Sequence, residues 1–207
     1  MRAILTAGIL SLGLAACGNG AKLGEKADLG EFKLGHNIVV AENATKGPFS
    51  RNATPEELQA ALVSEIDRRM GRYEGTQFYH LGVSIDGYVL ALPGIPVVAS
   101  PKSIMIVSVR VWDDAAGVKI NEEPEQITVF ESFSGEAIVG SGLTRTKEEQ
   151  LANLSANAAL AIENFLKANA EWFAKRDETG TLDAAAIAAG TLPAANERSR
   201  LPPQPRP

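Results

Sequence analysis

Two stretches of the chain repeat apolar residues at helical spacing, and the stretches between them alternate with a period of two. In "TPEELQAALVSEIDRRMGRY", Leu58, Leu62, Ile66 and Met70 recur every fourth residue with Ala61 beside them, which makes one apolar stripe on a helix. Thr54 can cap the first turn, Pro55 sits where a helix needs no N–H, and Glu57 completes a capping box. The arginines of "DRRMGR" suit the negative end of the helix dipole. Such a stripe either packs on a sheet or lies in a partner's groove, and a sheet is the expected neighbour. The second helical stretch is "TRTKEEQLANLSANAALAIENFLKANAEWFAKR". Thr146 and Glu149 form another capping box, and Leu151, Leu154, Ala158, Ile162, Phe165, Trp172 and Phe173 mark a broad apolar face.

Between these helices the period changes. In "QFYHLGVSIDGYVLAL", Tyr79, Leu81, Val83 and Ile85 share one face, and His80, Gly82, Ser84 and Asp86 the other, as in a half-exposed strand. "SIMIVSVRVWD" places Met105, Val107, Val109 and Val111 on one face; its other face begins with Ile104 and Ile106 and ends with Ser108 and Arg110. "EQITVFESF", a tight "SG" turn and "EAIVG" read as a hairpin. A short strand is expected near Ile38–Val40, before a polar loop that runs to Thr54. The order is β-α-β-β-β-(β)-α. It predicts an α+β fold: an antiparallel sheet of about four to five strands with two helices packed on one face.

The front of the chain is different in kind. One Arg2 precedes Ala3–Ala16, which is apolar or small throughout. Spanning a bilayer takes about 20 apolar residues, so this run is too short to cross comfortably and has the layout of a secretory signal. It ends "LAAC", and Cys17 is the only cysteine among 207 residues. The run resembles the lipobox of bacterial lipoprotein precursors, whose thiol is acylated with diacylglycerol before the peptide is cut just ahead of it. That resemblance implies that Cys17 is a lipid attachment point and that residues 1–16 are a signal peptide. Several acyl chains hold a membrane far more durably than one. Gly18 and Asn19, with no Asp after the cysteine, lean towards the outer membrane under the sorting rule of such families. Residues 17–35 contain five glycines and regularly spaced charges, and are expected to form a flexible tether. Residues 36–175 are expected to fold as one domain. Residues 176–207, rich in Ala and Pro and ending "LPPQPRP", are expected to be largely disordered.

Charge and chemistry narrow the function classes. The whole chain carries a formal charge of −5, and cleavage before Cys17 would remove Arg2 and leave −6. There is no basic run and no interleaving of aromatic and basic residues, so nucleic acid is not an expected partner. The two histidines, His36 and His80, lie in separate elements without metal-ligand spacing, and are expected to be surface or edge residues. Asp113, Asp114 and the "NEEPE" run from Asn121 to Glu125 read as a solvated acidic loop without EF-hand spacing. Ser132, Ser134 and Ser141 stand outside any nucleophile elbow. "VGSGLTRTKEEQ" lacks the lysine of a phosphate loop, so Gly140 and Gly142 are expected simply to let the chain turn. No catalytic residue, metal or cofactor is expected.

One loop is unusual. "LPGIPVVASPK", Leu92–Lys102, joins two strands with apolar residues at Ile95, Val97 and Val98 and three prolines. A loop of that kind either folds back over the sheet or presents a rigid, partner-facing tip that loses little entropy on docking. Phrases such as "VRVWDD" and "TVFESFSG" are similar to an uncharacterised family of proteobacterial envelope lipoproteins, which brings no catalytic residue with it. The lipobox resemblance implies a lipid-anchored envelope protein facing the periplasm. With no catalytic constellation in the sequence, the expected role is a non-enzymatic interaction or assembly accessory for another envelope protein, working through its sheet edge or apolar loop. The alternative is a module that binds a small apolar or lipid ligand between helices and sheet.

Overall fold

A computed structural model describes residues 20–92, 103–131 and 145–176. The elements run β1 Phe32–Val40, β2 Thr45–Lys46, α1 Pro55–Met70, β3 Gln77–Val89, β4 Ile104–Asp113, β5 Val118–Lys119, β6 Glu125–Phe130 and α2 Lys147–Ala168. A 3-10 turn, Ala170–Phe173, follows α2. The two long strands β3 and β4 pair antiparallel and form the centre of the sheet. β1 and then β2 lie end to end along the free edge of β3, while β6 and β5 do the same along β4. Six strands therefore occupy four lanes, which is the expected α+β sheet with two helices.

One lane departs from expectation. β1 and β2 run parallel to β3. The physical reason is α1: adjacent parallel strands need a long crossover between them, and the helix supplies it. β1 also begins at Phe32, six residues before the short strand expected at Ile38–Val40.

Both helices cover the same sheet face. Tyr79, Leu81, Val83 and Ile85 on β3 stand opposite Asp113, Val111, Val109 and Val107 on β4, and these apolar side chains are buried almost completely. From α1 they meet Leu58, Leu62, Ile66 and Met70, and from α2 Leu154, Ala158, Ala159, Ile162 and Leu166. Burying one such aliphatic side chain contributes roughly 1.5–3 kcal/mol. Both expected capping boxes form: Thr54 with Glu57, and Thr146 with Glu149. α2 stops earlier than its apolar pattern suggests. Asn169 donates from its side chain to the Phe165 carbonyl, and Trp172 and Phe173 fall in the 3-10 turn.

The segment expected to be a tether is part of the folded unit from Gly20 onward. Leu29 and Phe32 are buried in the core, and Phe32 packs edge-on against Phe173 with ring centroids 5.1 Å apart. The Glu31 N–H donates to the Phe173 carbonyl at 2.9 Å, so the two ends of the domain are joined directly. One glycine there serves close approach to α2. A Cβ on Gly20 would sit 2.2 Å from the Ala156 carbonyl oxygen of α2. At the other end, Arg176 pairs with Asp113, so the folded unit reaches one residue beyond the expected boundary. Among the described residues, no helix is long and apolar enough to cross a membrane.

Candidate functional site

The two sides of this two-layer domain differ in chemistry. On the helix side, α1 and α2 meet around a buried polar cluster. Arg69 is fully buried and donates to Glu163 Oε2 at 2.8 Å. Its guanidinium also donates to the backbone carbonyls of Gly20 at 2.6 Å and Lys22 at 3.0 Å. Arg72 donates to the other Glu163 oxygen at 2.7 Å and to the Gly24 carbonyl at 3.0 Å. The Tyr73 hydroxyl donates to that same Glu163 oxygen and accepts from the Ala27 N–H. The Gly20 N–H donates to Asn157 Oδ1 of α2 at 2.8 Å.

The cluster clamps residues 20–27 onto the helices. Burial pushes the Glu163 carboxyl up, but hydrogen bonds from Tyr73, Arg72 and Arg69 outweigh it and hold the group below its ordinary value. Burial, together with the bond to Glu163 and the negative charge there, pushes the Tyr73 hydroxyl up to about 12. Sequence reasoning assigned these cations only to the helix dipole. The signal for the burial of Arg69 was there: it follows Ile66 by three residues and Leu62 by seven, so it falls beside the apolar stripe of α1.

The opposite side is the open face of the sheet, and no described element covers it. Ile38 is 60% exposed and Val40 44% on β1. Phe78 on β3, Trp112 on β4 and Phe130 on β6 are also exposed. At its centre, Ser108 donates to Asp86 at 2.6 Å and Gln126 reaches the same carboxylate oxygen. Ile38, Val40, Asp86, Ser108, Arg110 and Trp112 line a shallow concavity of about 440 Å³. Apolar and polar groups therefore alternate across an accessible surface.

His36 and His80 come together on this face because β1 and β3 are neighbours. Their rings lie 4.8 Å apart. The His36 backbone N–H donates to His80 Nδ1 at 2.8 Å, and Nε2 lies 2.9 Å from Asp114. Both His80 nitrogens are thus occupied by protein. Among the described residues, no three His, Cys, Asp or Glu side chains are grouped to hold a metal ion.

The acidic loop expected at Asp113 and Asp114 divides between the two faces. Asp113 is buried on the helix side with Arg176, and Asp114 serves His80 on the open side. Alternation along β4 turns Asp113 to the helix side, and Asp114, the next residue, is held beside β3 by its N–H to the Phe78 carbonyl. Asn121 is bonded to β4, accepting from the Val111 N–H and donating to the Val109 carbonyl, which makes it a turn-forming residue.

Cys17, the loop residues Ile95, Val97 and Val98, Ser132, Ser134, Ser141 and the "EAIVG" strand lie outside the described residues. The base of the apolar loop is visible. The Ala91 N–H donates to the buried Ser103 hydroxyl, the Ser103 carbonyl accepts from Glu131, and Gln150 of α2 donates to the Ala91 carbonyl. Between helices and sheet, where a small ligand would have to lie, the described core side chains of the two layers pack against one another.

No family model matches the chain, and no curated protein does. Among solved structures, it is similar to a Caulobacter crescentus protein provisionally named a lipoprotein, with 14% identity over 64% of this chain and 89% of that one, at a TM-score of 0.37. It is also similar to a minor lipoprotein from Acinetobacter baumannii, with 16% identity over 65% and 93% at 0.31. A third is the PelC dodecamer from Paraburkholderia phytofirmans, with 10% identity over 68% and 93% at 0.33. Likeness at this level bears on neither family nor function.

Proposed function

We propose that this protein is acylated at Cys17 and works as a lipid-anchored, non-enzymatic accessory of the cell envelope, docking another envelope protein on the open face of its sheet. The anchor reading is supported by "LAAC" at the end of a short apolar run that is too short to span a membrane. With no Asp directly after the cysteine, the reading leans to the outer membrane, with the domain facing the periplasm. The docking reading is carried by one observation: Ile38, Val40, Phe78, Trp112 and Phe130 stand exposed on a single sheet face. Scattered apolar residues are ordinary on a surface, whereas several on one face mark a place where a partner sits. The apolar loop at Ile95, Val97 and Val98 is a further candidate for the same contact.

The test is made on the full chain expressed in a bacterial envelope. Intact mass is expected to show a polypeptide beginning at Cys17 and carrying glyceride and acyl groups. Cys17→Ser should leave the membrane fraction. A wild-type chain that keeps residues 1–16, or weighs no more than its bare polypeptide, contradicts the anchor. For the accessory role, a photo-crosslinker at Val40 should capture one reproducible envelope protein, and Ile38→Asp in the same chain should abolish that adduct. No adduct, or one indifferent to Ile38→Asp, contradicts the docking surface.

A further inference from the structure

We infer that the outer side of the helix pair is held flat against the lipid headgroups, so that the open sheet face points away from the membrane. This rests on acylation at Cys17 and adds to it an orientation, which the clamp on Gly20 supplies. A flexible segment covering residues 17–35 would have had a root-mean-square reach of about 20–25 Å and left the domain free to tumble. The structure leaves far less. Gly20 is bonded at its N–H to Asn157 and at its carbonyl to Arg69 and Arg68. Only three peptide units separate it from Cys17, with a contour of about 10–11 Å when fully extended.

The headgroup layer of one leaflet is about 5–7 Å thick, half the difference between the whole bilayer and its hydrocarbon core. A glyceride on Cys17 sits at the inner boundary of that layer. Crossing the headgroups therefore uses most of the available chain, and Gly20 must lie within a few ångströms of the membrane surface.

The surface at that point fits a lipid interface. Ala21 lies in a shallow groove of about 560 Å³ between the two helices, with Glu65 and Arg68 from α1 and Glu149 and Ala152 from α2 around it. Glu149, Ala152 and Arg68 are exposed, so the groove opens on the side of the helices away from the sheet. Arg68 and Arg145 line it, paired with Glu65 and Glu131 in turn, beside Glu149, and Lys22 is exposed next to it, so positive and negative side chains balance there. This patch escapes the acidic excess of the chain as a whole, which would repel anionic lipids. With the helix layer on the membrane, the face bearing Ile38, Trp112 and Phe130 lies on the far side of the domain.

The test uses the acylated full chain in vesicles of phosphatidylethanolamine and phosphatidylglycerol that carry a nitroxide on a fraction of their headgroups. A fluorophore is attached at Ala152→Cys or at Thr128→Cys, an exposed open-face position on β6. The Ala152 label is expected to lose most of its emission to the nitroxide and the Thr128 label to keep it. A long Gly–Ser insertion between Gly18 and Asn19 should erase that difference without detaching the protein. Equal quenching of the two labels in the uninserted chain, or stronger quenching at Thr128, overturns the orientation. Intact mass on the same samples separates the two ideas. An acylated protein with equal quenching sinks the orientation alone, whereas an unacylated one sinks both.

Discussion

The helix side and the open sheet face show what the same kinds of residue do in two settings. At the α1–α2 seam, Arg69, Arg72, Tyr73 and Glu163 are drawn into one bonded cluster, and the chain segment they hold reaches to within three residues of Cys17. On the open face, Asp86, Ser108 and Arg110 stay near water among exposed Ile38, Val40 and Trp112. Desolvating a charge costs several kcal/mol unless its bonds are made, so the seam tolerates little change. The open face, already solvated, tolerates substitutions that keep the strand. Fragility therefore marks the side that holds residues 20–27, and tolerance the exposed sheet face.

The largest expected effect breaks the seam. Glu163→Ala leaves Arg69 buried without its carboxylate and should cost about 3–5 kcal/mol, read by denaturant unfolding. A loss below 1 kcal/mol would mean that the cluster is solvated and the clamp loose.

The seam should also open at both ends of the pH scale. Glu163 is held below its ordinary value when folded, so its contribution is present above that value and fades as pH falls through the folded one. Tyr73 is raised, so its contribution is complete below pH 10 and is lost as pH climbs towards about 12. Stability measured against pH in Glu163→Gln should lose much of the acid-side slope. An unchanged profile would place the titration elsewhere.

A smaller effect calibrates the helices independently of the seam. Thr146→Ala removes the α2 cap and should cost about 1 kcal/mol. The smallest effect sharpens the contrast. Ile38→Thr, which keeps β-branching on an exposed strand position, should change stability by no more than about 0.5 kcal/mol while weakening partner capture. If it destabilises as strongly as Glu163→Ala, the open face is covered in solution.

Much of this was legible in sequence, and the rest was hidden for identifiable reasons. Capping boxes and fourfold spacing marked both helices, and strict alternation marked β3 and β4, because core burial selects for those periods. β1 was only partly visible: Lys33, Gly35, His36 and Asn37 interrupt its apolar pattern on an edge lane that needs little burial. The docked segment was invisible because Gly20, Lys22 and Gly24 are held through backbone carbonyls, which leave no mark on side-chain pattern. Its glycines read as flexibility when one of them allows contact with α2. The polar character of the open face could be read along β3, but its apolar rim comes from Ile38, Trp112 and Phe130 on three different strands, and only the register assembles them.

The central claim is that the open face meets a partner while the helix face meets the membrane, and crosslinking inside cells addresses it most directly. A photoactivatable residue would be placed at Ile38 in one chain and at Ala152 in another, both acylated and expressed in the native envelope. The account predicts a discrete protein adduct from Ile38 and lipid-dominated products from Ala152. A protein adduct from Ala152 with none from Ile38 would contradict it.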